Sequence, residues 1–172
     1  DDTLPPEAIA LQVARAEKDG ADLVISAYKE YIGDLSHYRC LVSREDTLSA
    51  DENLRLLNRR SNSYFYGVLW NKLYRTDFIR GLDIKFPYGD RYEDYCYLYC
   101  MTCHVTKIGF TNKPYVRYVQ GHSSITHTSN AQVKNMIHVF HIINEYYKTH
   151  GYYDQYRDAL EYIHIRYFLG SS

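Results

Sequence analysis

A chain of 172 residues with a formal net charge of −1 is long enough for one domain with a real hydrophobic core, and it lacks the excess Lys and Arg that a nucleic-acid footprint needs. No apolar run approaches the length of a membrane span, and no secretory leader pattern opens the chain. Four cysteines without the spacing of a small secreted scaffold point to reduced thiols in a cytoplasmic setting, and most of the 20 tyrosines, beside only 6 Phe and 1 Trp, are expected to fill amphipathic core positions.

In chain order, Pro5 and Pro6 followed by the stripe Ile9, Ala10, Val13, Ala14 and then Gly20 predict a helix. The run Leu23–Ile25 in ADLVISAYKEYI predicts a strand buried on both faces, the second strand of a βαβ unit whose first strand lies outside this chain. Residues 33–48 are polar and mixed, with a hairpin through His37 to Val42. Ser49 to Glu52 reads as a capping box opening a short helix to Arg60, which Ser61-Asn62-Ser63 ends. YFYGVLWNKLYR reads as a strand, followed by a Thr76-led helical turn to Gly81.

The loop IKFPYGDR leads into a helix bearing Tyr92, Tyr95, Cys96, Tyr99, Cys100 and Cys103 on one stripe, with Leu98 and Met101 off it. A helix apolar nearly all round is a buried one. Asp90 to Glu93 reads as an aspartate-led capping box, which puts Asp94 in the first turn, where unpaired N–H groups keep a carboxylate ionised. Val105–Phe110 and Tyr115–Gln120 read as two short strands split by Thr111 to Pro114. Ser129 or Asn130 caps a long helix with Val133, Met136, Ile137, Phe140, Ile143 and Tyr147 at helical spacing, and a second helix after Gly151 carries Tyr156, Leu160, Ile163 and Tyr167. Two amphipathic helices in sequence must dock, as a hairpin on the α/β layer or on a partner.

WNKLYR, a short helix, and then FPYGDRYED, together with PYVRYVQGHSSIT at 114–126, closely resemble in order and spacing the acceptor half of family 2 glycosyltransferases, the inverting enzymes of GT-A fold. The resemblance runs from Asp1 to about Thr126. It implies an α/β fold in which 1–128 is the acceptor-side half of a GT-A domain without its N-terminal nucleotide-binding strands, and 129–172 a C-terminal helical extension. It further implies that Asp94 is the general base taking the acceptor hydroxyl's proton. Asp1 and Asp2 would be the later members of an acidic motif holding Mg or Mn on a nucleoside-diphosphate sugar, and the family's usual aromatic is here Thr3. Trp70, Lys72 and Glu93 are implied near the acceptor cleft, with Glu93 explained first by the capping box. His122 and Ser124 fall in a loop the family uses near the phosphates, where Val119 stands in place of a frequent arginine. The acceptor would be a glycan or a lipid-linked hydroxyl, as in polysaccharide biosynthesis, in the cytoplasm including the inner face of the membrane.

Two rival readings stem from the same residues. A degenerate glycosyltransferase fold serving as a non-catalytic binding or scaffold module is favoured by Thr3 and Val119. An iron–sulfur enzyme is suggested by the C-x3-C-x2-C spacing of Cys96, Cys100 and Cys103. That motif belongs on a loop, whereas here it lies on the apolar stripe of a helix, so buried thiols packed against the sheet are expected. His138 and His141, even with His104 and His127, lack a Cys or carboxylate spaced to complete a zinc site.

Overall fold

The computed structural model describes residues 2–39, 47–49, 68–87, 92–120 and 132–170. The helix predicted over 49–60, the break at 61–63, the Asp90 cap, the Ser129 or Asn130 cap, Cys40 and His127 lie outside them.

Helix α1 (Ala8–Asp19) ends at Gly20, whose φ of 61° closes the helix with N–H bonds back to Glu17 and, from Ala21, to Ala16. It buries Ala8 and Gln12, while Ile9 is 52% exposed and Val13 38%. The expected apolar stripe of Ile9, Ala10, Val13 and Ala14 thus looks outward, and the helix rests on the sheet through the face of Ala8, Leu11, Gln12 and Arg15.

Strand β1 (Leu23–Ile32) is central, as its continuous apolar start predicts. Gly33, with φ 58°, begins the two-residue turn into β2 (Leu35–Arg39), which pairs antiparallel with the second half of β1. The same edge of β1 receives β4 (Lys72–Tyr74), antiparallel to Leu23–Ile25. On its other side runs β5 (Lys107–Gln120), parallel to β1, and β3 (Thr47–Ser49) pairs antiparallel with Lys107–Gly109. Ser49 therefore ends a strand.

The two strands expected at 105–120 are one. Its pairing passes from Thr111 opposite Ser26 to Val116 opposite Tyr28, so residues 112–115 bulge out against Ala27 alone. Pro114 has no N–H to give to a ladder, which is why the interruption falls there. Gly109 lets the α1–β1 turn approach closely: a Cβ there would lie 3.3 Å from Asp19 Oδ2 and 3.4 Å from Val24 Cγ2.

The other face of the sheet is covered by helices. α2 (Thr76–Arg80) is short, whereas α3 (Glu93–Thr102) is buried along most of its length, as expected. α4 (Gln132–Thr149) packs on α3, and α5 (Tyr153–Gly170) folds back on α4 after Gly151, φ 76°. Leu23, Ile25, Ile108 and Phe110 of the sheet share one apolar cluster with α3, with Met136, Val139, Phe140, Ile143 and Tyr147, and with Tyr156, Leu160 and Ile163. The helical hairpin is docked as expected, except that Ile137 is exposed. No helix among the described residues is long and apolar enough to cross a membrane.

Candidate functional site

Of the stretch read as one strand, YFYGVLWNKLYR, residues 64–67 lie outside the described residues, and 68–75 form a turn followed by three strand residues. The Lys72 N–H donates to Leu69 O at 3.3 Å, closing Leu69–Asn71 into a turn ahead of β4. The register is locked by Asn71, which is 1% exposed. Its Nδ2 donates to Ser26 O at 3.0 Å, and its own carbonyl accepts both Ser26 N–H at 3.0 Å and Ser26 Oγ at 2.9 Å. A buried amide needs such partners, and Ser26 supplies them from the centre of the sheet.

Two residues expected near an acceptor flank Asn71. Trp70, 38% exposed, stacks on Tyr118 with centroids 5.0 Å apart and 27° between planes, and meets Tyr28 edge-on at 4.8 Å. Lys72 is buried, and its ammonium donates to Asn71 Oδ1 at 2.8 Å and to Val68 O. Tyr28 and Tyr118 were not singled out in the sequence. Both sit at alternating positions of predicted strands, but nothing local reveals that a turn 40 or more residues away brings a tryptophan between them.

Asp94 stands in the first turn of α3, as expected, while Asp90 of the expected capping box lies outside the described residues. The helix begins at Glu93, and Tyr92 before it adopts φ 69° with no side-chain cap, so Glu93 is an exposed first-turn residue and not a box partner. Asp94 is half-buried, and its Oδ2 accepts the Leu69 N–H at 3.4 Å. Burial raises its pKa above the usual carboxylate value, and Glu93 adds to this. The Leu69 N–H and the Lys72 charge pull it the other way. Tyr74 Oη donates to Leu69 O at 3.2 Å, and burial, with Asp94 and Tyr97 nearby, pushes its phenol up.

Asp2 lies at the far end of β5. Its exposed carboxylate accepts the Val119 N–H at 2.9 Å, while Thr3 and Arg117 exchange backbone bonds of 3.2 and 3.0 Å. Val119, where the family often has arginine, thus fixes Asp2 through its backbone. Asp94 connects to Asp2 through a chain of contacts, Leu69 to Trp70, Trp70 to Tyr118, and Tyr118 to Val119. Asp1, His122 and Ser124 lie outside the described residues. Among the described residues no three His, Cys, Asp or Glu side chains gather as a metal cluster. A hard cation carried on a diphosphate needs only one or two protein carboxylates, so the oxygen chemistry of Asp2 and Asp1 fits it.

Glu30, a buried carboxylate near the end of β1, is held by Arg39 at 2.8 Å and Gln120 at 2.6 Å. Cys96, Cys100 and Cys103 form no disulfide and are buried in the same cluster as the sheet residues. Cys103 Sγ donates to Cys100 O at 3.2 Å, burial pushes the Cys103 thiol up to about 12, and Tyr146 and Tyr147 of α4 lie beside them. His104 bonds Tyr146 Oη at 2.8 Å, and His138 and His141 are exposed. A separate hollow of about 290 Å³ between α1 and the β5 bulge is lined by Leu11, Arg15, Lys18, Lys113 and Tyr115 among others, and does not include Asp94.

No protein-family model matches the chain, and no curated protein matches it in sequence. Solved structures match in fold. S. aureus TarS 1–349 in complex with UDP-GlcNAc gives a TM-score of 0.59 at 16% identity, over 85% of this chain and 45% of that one. The complex of TarS 1–349 with UDP, and a further structure of TarS 1–349, each give 0.52 at 16% identity, over 86% and 45%. The chain thus spans less than half the length of the structures it matches. At this identity the likeness establishes the fold: mixed α/β, a partial GT-A-type sheet with flanking helices and a C-terminal helical hairpin.

Proposed function

We propose that the chain is the acceptor-side part of an inverting, family 2-like glycosyltransferase, with 1–128 completing a GT-A domain and 129–172 extending it. The observation that carries this reading is Asp94. The residue singled out by the WNKLYR and YED resemblance lies half-buried in the first turn of a helix, bonded to the turn that WNK builds, in a fold shared with a protein crystallised with UDP-GlcNAc.

Asp94 takes the proton from the acceptor hydroxyl as its oxygen attacks the anomeric carbon, and the bond to the diphosphate breaks with its electron pair going to the phosphate. A pKa raised by burial makes the carboxylate a stronger base than an exposed one. Trp70, with one ring face on Tyr118, offers an aromatic wall for a sugar, and Glu93, His122 and Ser124 are assigned to substrate contact. Asp1 and Asp2 would hold Mg or Mn, which supplies positive charge against the departing diphosphate. The partners are a nucleoside-diphosphate sugar and a glycan or lipid-linked hydroxyl, met in the cytoplasm or at the inner membrane face.

The test uses the intact protein with UDP-GlcNAc and Mn, first with water as the acceptor. UDP release that needs the metal, and a β-anomeric product from the α-linked donor, are expected. UDP-GlcNAc binding with no turnover under any metal overturns it in favour of a binding module, and turnover untouched by Asp94→Asn overturns the base assignment.

A further inference from the structure

A lysine on a three-residue strand beside an exposed tryptophan would ordinarily turn its ammonium to water. Lys72 does not. It is 8% exposed, and its ammonium bridges Val68 O and Asn71 Oδ1, the two ends of the turn that carries Leu69. Asn71 is in turn bonded on both sides to Ser26, so the clamp is anchored to the central strand. Between the two ends, the Leu69 N–H points at Asp94 Oδ2, and Tyr74 Oη holds the Leu69 carbonyl from the other side.

Burying an ammonium is costly, and a methionine would fill the same volume at less expense in stability. What a methionine would not do is tie two acceptors of one turn together and set a positive charge behind a carboxylate. We propose that Lys72 is a positioning residue for Asp94: it holds the Val68–Asn71 turn so that the Leu69 N–H stays aimed at the carboxylate, and it places a buried cation behind that carboxylate. Its role is thus to act through Asp94 and not to touch the acceptor. Among the described residues, the groups that bear on Asp94 are Glu93 on its own helix, Lys72 with the Leu69 N–H, and Tyr74, whose phenol feels both Asp94 and Tyr97. Lys72 is the cation among them, and its effect runs toward the ionised form. The catalytic meaning of this clamp rests on the base role proposed for Asp94, whereas its geometry does not.

The experiment compares Lys72→Met and Lys72→Arg with the wild type in the intact protein. With UDP-GlcNAc and Mn, Lys72→Met is expected to lower kcat roughly 10- to 100-fold, as a displaced catalytic group does, with KM for UDP-GlcNAc changed less than about twofold. The acid limb of its pH profile moves to higher pH, and Lys72→Arg returns the limb but not the full rate, because a planar fork meets the two acceptors differently. A readout free of activity is NMR titration of the wild type. The Leu69 amide and the Asp94 carboxyl carbon should share one midpoint, which rises in Lys72→Met. A Leu69 amide blind to Asp94 protonation overturns the proposal even if Lys72→Met cannot fold, and so does a folded Lys72→Met with an unmoved Asp94 midpoint. Shifted midpoints together with a fully active Asp94→Asn overturn the base role alone and leave the clamp standing.

Discussion

Trp70 and Tyr118 stack with ring centroids 5.0 Å apart, joining the turn above Asp94 to the end of the strand that holds Asp2. Both the proposed base and the proposed metal ligand are thereby tied to one face-to-face aromatic contact. Trp70→Ala should destabilise the protein by about 2–3 kcal/mol in urea unfolding, less than a fully buried Trp would, with Trp70→Phe recovering most of it. The chain has one Trp, so fluorescence excited where tyrosine does not absorb reads this site directly, and quenching or enhancement by UDP-GlcNAc is expected.

Asp94→Asn keeps the size and the hydrogen bond from Leu69 but removes the base. Transfer should fall about 10²–10⁴-fold, while calorimetric binding of UDP-GlcNAc with Mn stays close to wild type, because Asp94 does not touch the diphosphate in this scheme. Near-normal transfer by the variant would refute the assignment.

The pH dependence of stability follows from the same residue. Asp94 has a folded-state pKa raised above its unfolded value, so the folded state holds its proton more tightly. Its contribution is full below the unfolded pKa and is lost as pH rises through the folded one. At neutral pH the ionised, half-buried carboxylate therefore costs stability, and Asp94→Asn should unfold at higher urea concentration than the wild type at pH 7. The gap should close as the pH is lowered below the ordinary carboxylate range. An equal gap at both pH values would show that burial does not act on this charge.

Asp22 is a structural knot at the sheet's other end. Its Oδ2 accepts Thr106 N–H and Oγ at 2.7 Å each and Lys107 N–H at 3.1 Å, and its Oδ1 meets Arg75 Nη2 at 2.8 Å. Its removal takes the acceptor from three donors and leaves Arg75 unpaired there, but these groups reach water, so Asp22→Ala should cost about 1–2 kcal/mol in urea unfolding, with Asp22→Asn between it and the wild type.

The thiols of Cys96, Cys100 and Cys103 are buried; a hydrogen bond with Cys96, then burial, holds the Cys100 thiol protonated, and burial holds that of Cys103. They should resist Ellman's reagent in the native protein and react fully in urea. Rapid modification of Cys100 or Cys103 without unfolding would contradict the packing of α3 on α4.

Local sequence was sufficient for several elements, because their causes are local. Gly20 ends α1, the apolar start of β1 marks a central strand, Thr76 opens α2, and the helical spacing of Met136, Phe140, Ile143 and Tyr147 marks the face that α4 buries. The placement of Asp94 in a first helical turn was legible for the same reason. Periodicity fails where burial depends on distant partners. Ile9 and Ile137 fit their apolar stripes yet face out, and Lys72 reads as a surface charge until Ser26, 46 positions earlier, anchors the Asn71 that receives it. The pattern at 90–93 placed the helix start at Asp90, but α3 begins at Glu93, after a Tyr92 with positive φ. The pKa of Asp94 was likewise set by tertiary structure: burial against the turn that brings it the Leu69 N–H raises it, a cause no local pattern shows.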